Sequence, residues 1–386
     1  MRSASRLGGA AVLATALLAA LATPALAATG QPASSDGSGF GLPGAHGTVF
    51  VQTDNPAGNQ VVAYDRQPGG TLSDAGAYAT GGLGGILSGS VVDHLASQGS
   101  LALSPDGTAL IAVNAGSNTI SVFGAHGDRL RLRQVISSGG VFPVSVAIHG
   151  GLVYVLNALN GGSIQGYRMV FGFLIPLPGS GRPLGLDPNA APQFTNTPGQ
   201  VAFSPDGTQL IVTTKANGNN VDVFAVGPRG YLSAAPVQNA EPGTVPFAIT
   251  FDPAGNLVIA EAGTNALATF ALSASGTIAA LSTAATSQAA TCWVTAIGST
   301  LFASNAGSAT VSSVADTGGA LSLLGQTGTD AGTVDSAATP DGRYLYVQAG
   351  GAGIVDEFAV GANGALTEVG SVTVPNAAGG EGIVAS

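Results

Sequence analysis

Residues Leu101 to Phe123 read LALSPDGTALIAVNAGSNTISVF, and residues Val201 to Phe224 read VAFSPDGTQLIVTTKANGNNVDVF. Within each copy a short apolar run meets Ser-Pro-Asp-Gly. Pro presets φ, Asp bonds back to its own backbone, and Gly accepts positive φ, so the four residues read as a tight turn. A second apolar run follows (Leu110 to Val113), then a turn at Asn114-Ala115-Gly116-Ser117-Asn118. Thr119-Ile120-Ser121-Val122-Phe123 then alternates, as a half-buried strand does. A weaker run, Leu130 to Ile136, supplies a fourth strand.

Units of this kind begin near Gln98, Pro143, Pro198, Val245, Ala290 and Thr333. Their turn slots hold SPDG at Ser104, HGG at His149, SPDG at Ser204, DPAG at Asp252, IGS at Ile297 and TPDG at Thr339. A partial copy from Thr48 has a second and third strand but no first, and Glu381 to Ala385 resembles a first strand with no second. Six units and one split between the ends make seven. Four-stranded repeats of about 40 to 50 residues are the signature of a β-propeller. The expected fold is therefore an all-β, seven-bladed propeller over residues 47–386 with four-stranded antiparallel blades. A C-terminal strand pairs with the N-terminal blade, which closes the ring and leaves fewer open edges.

Arg2 and Arg6 precede an apolar run, Leu7 to Leu21, and Ala25-Leu26-Ala27 fits the small-residue cleavage rule. Residues 1–27 read as an export leader and 28–46 as a flexible lead-in, so the processed chain is expected outside the cell membrane, extracellular or periplasmic. A single cysteine, Cys292, excludes an internal disulfide. Charged residues make up 8% of the chain, with a net charge of −10. An acidic chain with so few Lys and Arg is expected to have no electrostatic footprint for nucleic acid or anionic lipid. A monomer without membrane insertion or cofactor is expected, with a small-molecule or carbohydrate ligand at the channel mouth.

In a propeller the residues before each first strand and after each second strand crowd one mouth of the central channel, where ligands bind. Register places Gln98, Gln200, Phe247, Cys292, Trp293, Asp335 and Glu381 before first strands. Asn114, Asn157 and Asn305 follow second strands and suit turn chemistry. Lys215 and Glu261 stand in that slot too, as charges in a chain with few. Glu261, Asp335 and Glu381 would give the mouth an acidic character, but no calcium loop, zinc spacing or hydrolase elbow is present. Of four histidines only His94 precedes an inner strand. Cys292 reads as a small buried hydrophobe, and Trp293 as a flat surface for a ring-shaped ligand.

The pattern of SPDG, then LIAVN or LIVTT, then ISVF or VDVF resembles the lactonase-like seven-bladed propellers. These include 6-phosphogluconolactonases and carboxymuconate cyclases, and share YVTN-type repeats. GQVAFSPDGTQLIVTTKANGNNVDVF, PFAITFDPAGNLVIAEA and AATCWV look like an exported bacterial branch of that family. The resemblance implies hydrolysis of a cyclic ester, with Glu261 as general base and Lys215 or Arg182 as its cationic partner. The chain departs from the family in carrying no His after Pro143 and a Phe247 where an Arg is expected. Two classes therefore stand open, a lactonase-like hydrolase and a non-catalytic propeller that binds a ligand, a carbohydrate or a protein.

Overall fold

The computed structural model describes residues 47–386, so the leader, the lead-in and His46 lie outside the described residues. Seven antiparallel sheets follow one another along the chain, in the order the repeats set. Blade 1 is the split one. Ile383–Ala385 pairs with Thr48–Gln52 (Val49 opposite Ala385, Val51 opposite Ile383), and Gln60–Arg66 and Leu72–Ala79 complete the sheet. Successive innermost strands touch from blade to blade all the way round, so the ring is closed.

The apolar core lies between blades. Phe50 and Val61 of blade 1 pack on Leu110 and Phe123 of blade 2, and Phe302 and Val311 of blade 6 pack on Leu345, Val347 and Phe358 of blade 7. Alternation makes this possible, because every second residue of a strand faces the neighbouring sheet. Truncating a buried phenylalanine in such a layer costs about 3–5 kcal/mol.

On one face of the ring the repeated turns behave alike. Ser104 Oγ donates to Asp106 Oδ1 at 2.6 Å, which also accepts from Thr108 N at 3.1 Å; Ser204, Asp206 and Thr208 repeat both bonds at the same lengths. Gly107, Gly207 and Gly342 close these turns at φ of 70°, 69° and 68°. The other face is different. Residues 80–100, between Leu72–Ala79 and Leu101–Leu103, contain no strand. They cross the channel mouth with Leu87, Leu95, Ala96 and Ser97 buried. A loop of this length is uncommon within a domain and marks function more often than connection.

Candidate active site

The second strands end at equivalent residues, and the residue after each enters the mouth. In order round the ring these are Asp54, Ala115, Ala158, Lys215, Ala262, Ala306 and Gly350. Five are small. Asp54 and Lys215 alone carry charge, and they alone among the seven have positive φ, 50° and 51°. A left-handed backbone at a non-glycine residue is costly and tends to persist where function holds it.

Lys215 is 1% exposed. Its Nζ donates to Ala96 O at 2.6 Å and Phe194 O at 2.7 Å, and lies 5.1 Å from the centre of the Phe247 ring. Ala96 belongs to the loop over the mouth, and Phe194 to the short helix Gln193–Asn196, which Ser88 N joins through Gln193 Oε1 at 2.9 Å. The lysine therefore pins both covering segments from below. Asp93, on the same loop, accepts from Ala96 N at 2.7 Å through Oδ1. Burial pushes its carboxyl up to about 6, against the pull of Lys215. Burial also draws the Lys215 ammonium down to about 8, opposed by Asp93, Glu381 and Cys292. The two do not form a contact ion pair, yet each shifts the other.

Both face a cavity of about 260 Å³ whose other walls are Phe247, Cys292, Trp293, Phe194, Thr195 and small apolar residues. Trp293 Nε1 donates to Ser97 O at 2.6 Å, and its ring meets Phe247 at 5.0 Å with the planes tilted by 60°. Val91, on the cavity's rim, is 84% exposed and marks where it reaches the surface. Burial raises the Cys292 thiol strongly, so it stays protonated and packs as an apolar group.

Behind this cavity lies a second buried group. Glu381 accepts from Ser97 Oγ and Ser97 N, and its own N–H donates to Asp54 Oδ2 at 2.8 Å. Asp54 Oδ1 accepts from Gln52 Nε2, and Asp335 Oδ1 from Ser336 N at 2.9 Å. Burial lifts Asp54 and Asp335 to about 7 and Glu381 well above its usual range. Among the described residues no three or more His, Cys, Asp and Glu are disposed to hold a metal ion.

The remaining expected residues fall elsewhere. Phe247, Cys292, Trp293 and Asp335 lie inside their first strands rather than before them, because each of these strands carries an irregular register at that point. A bulge re-aims side chains toward the mouth, which is how strand residues reach the site. Glu261 closes its strand one register position before the Lys215 slot. Its Oε2 accepts from Thr264 Oγ1 at 2.9 Å, and burial, with Glu241 nearby, raises its carboxyl. It does not line the cavity that Lys215 faces. Arg182 donates to the carbonyls of Ser233 and Leu232, both at 2.9 Å, between blades 3 and 4. Gln98 spans the mouth and exchanges two 3.0 Å bonds with Val294, and Gln200 accepts from Ile249 N at 2.5 Å. His94 contacts Asp54 O at 3.4 Å through Nδ1, and burial lowers its basicity. Asp93 was not among the expected residues. Its signal in the sequence is the length of the linker that carries it.

No family model matches the chain, and no curated protein does. Solved structures do. A putative 6-phosphogluconolactonase from Bacteroides fragilis matches at a TM-score of 0.68 and 20% identity, covering 90% of this chain and 99% of its own. A second, from Bacteroides uniformis, matches at 0.72 and 19%, covering 88% and 99%. The periplasmic gluconolactonase of Pseudomonas aeruginosa matches at 0.71 and 19%, covering 87% and 98%. This chain shares the propeller fold of these three structures. Each match spans nearly the whole of the other chain and 87–90% of this one. The likeness at this identity concerns architecture, and the chemistry rests on this chain's own residues.

Proposed function

We propose that the chain is an exported lactonase-like hydrolase that opens a small, uncharged lactone in the cavity between Asp93 and Lys215. The observation that carries this reading is one apolar cavity, open to the surface at Val91, faced by a buried carboxyl and a buried amine whose titrations are drawn toward neutrality from both sides. Asp93 Oδ2, which has no hydrogen-bond partner among the described residues, takes a proton from water as that water attacks the carbonyl carbon. Two of the three Lys215 N–H groups are held by carbonyls, and the third faces the oxyanion that forms. The ring C–O bond then breaks, and the proton on Asp93 passes to the departing alkoxide, giving the hydroxy acid. Lys215 is the one cation that lines the cavity and two of its donors are taken by carbonyls, which disfavours a phosphorylated or carboxylated substrate. The test is acid release by pH-stat from aliphatic, aromatic, sugar and phosphorylated sugar lactones. Turnover is expected on uncharged rings and lost in Asp93→Asn, while turnover confined to the phosphorylated lactone defeats the substrate assignment.

A second reading, a non-catalytic binding propeller, is favoured by the use of two Lys215 donors to hold the covering segments. It is distinguished by saturable binding of an apolar lactone without acid release.

A further inference from the structure

The outer rim of blades 2 and 3 carries a surface that the hydrolase reading does not use. Between Asp106 and Asp187 the chain has five arginines and one carboxylate, Asp128, although the whole chain is strongly acidic. Arg129, Arg131 and Arg133 lie on the outer strand Arg129–Ser137, and all three are exposed. Arg168 lies on Ser163–Val170 of blade 3, where its Nη2 donates to Arg229 O at 3.0 Å, so a fifth exposed arginine adjoins it. Arg129, Arg131, Arg133, Arg168 and Arg229 form no ion pair; among the described residues the ion pairs are Arg66 and Arg343 with Asp341.

An apolar hairpin stands among these charges. Ser163–Val170 and Phe173–Pro176 pair with Val170 opposite Phe173 and Arg168 opposite Ile175, which leaves Phe171-Gly172 as a two-residue tip. Phe171 has φ of 51° and Gly172 of 76°. Such a turn selects Asn or Gly at its first position, and an aromatic there is disfavoured. This phenylalanine is moreover 93% exposed, with Phe173 at 47% and Ile175 at 53%. The Arg133 guanidinium lies against Gly172, so charge and tip are adjacent. Gln134 bonds both Leu174 N (2.8 Å) and Leu174 O (3.0 Å), which closes the hairpin's backbone edge. Strand addition by another chain is thereby blocked at Leu174, and the side chains remain as the surface on offer.

We propose that this rim docks the propeller on an anionic lipid surface, with Phe171 inserted among the acyl chains and the arginines at the headgroups. Arginine beside exposed aromatic and aliphatic side chains matches the layered chemistry of a bilayer interface, charge outside and hydrocarbon within. A soluble polyanion offers no place for Phe171, Phe173 and Ile175. The composition of the whole chain hides this surface because its acidic residues lie elsewhere.

The test is flotation of the chain beginning at Ala28 with phosphatidylcholine vesicles, with and without phosphatidylglycerol. Binding is expected on the phosphatidylglycerol vesicles and is expected to weaken with salt. Replacing Arg129, Arg131 and Arg133 together by Gln is expected to lower it roughly 100-fold, about fivefold for each charge removed from the surface. Phe171→Asn, which suits the turn and preserves the fold, is expected to lower it roughly tenfold, and circular dichroism checks both variants. Absence of binding to phosphatidylglycerol vesicles overturns the proposal. So does equal binding by either variant, or binding to heparin and dextran sulfate without binding to vesicles.

Discussion

The two faces of the ring are built from the same repeat and treat it in opposite ways. On the turn face the Ser104-Asp106 and Ser204-Asp206 networks are superimposable in partner and length, and Thr339-Asp341 repeats the 2.6 Å bond. At the mouth the equivalent slots hold four alanines, a glycine, Asp54 and Lys215. The repeat is kept where it only has to turn a chain. It is broken where a long loop, a short helix and two left-handed charged residues come together. Sameness carries the fold, and departure from sameness carries the site.

That comparison is broken most severely by Asp93→Asn, which keeps the shape of the loop and removes the proposed base. Hydrolysis is expected to fall roughly 10²- to 10⁴-fold, measured as kcat/KM by pH-stat, with the melting temperature nearly unchanged. Trp293→Ala is expected to cost about 3–5 kcal/mol in urea unfolding, because a fully buried ring leaves a cavity between the loop and blade 6. A loss near zero would mean that the loop does not rest on the tryptophan.

The buried carboxyls give a pH dependence of definite sign. Asp54 and Asp335 titrate near 7 in the folded chain and near 3.8 when free, so the folded chain holds more protons between those values. Stability is therefore fully present below about 3.8 and is lost as pH rises through about 7. Thermal scans are expected to show the melting temperature rising from pH 7 toward 5 by reason of these two groups, and the double variant Asp54→Asn, Asp335→Asn is expected to flatten that rise. The smallest effect belongs to the turn face. Gly107→Ala meets open space but must adopt a left-handed backbone, at a cost of about 1 kcal/mol, with turnover unchanged.

The fold was legible because the signals are local: turn tetrads, period-two alternation, and a first strand missing at one end and present at the other. Lys215 was legible too, as a charge in a slot that elsewhere favours small or turn-forming residues. Its partner was not. Glu261 and Lys215 look equivalent in sequence because both follow a strand, but one register position separates them, and successive residues of a strand point to opposite sides. Phe247, Cys292 and Asp335 were placed outside their strands because a bulge leaves no mark in the apolar pattern. Asp93 sits in a segment with no periodicity at all, and its meeting with Lys215 is a product of tertiary packing alone.

The pH profile of lactone turnover tests the central claim most directly, since it reads both groups at once. Asp93 must be ionised and Lys215 protonated, so kcat/KM should form a bell with limbs near 6 and near 8. The acid limb should vanish in Asp93→Asn together with the activity. A rate that climbs steadily with hydroxide and is the same in Asp93→Asn, or no turnover on any lactone by the folded protein, would contradict the account.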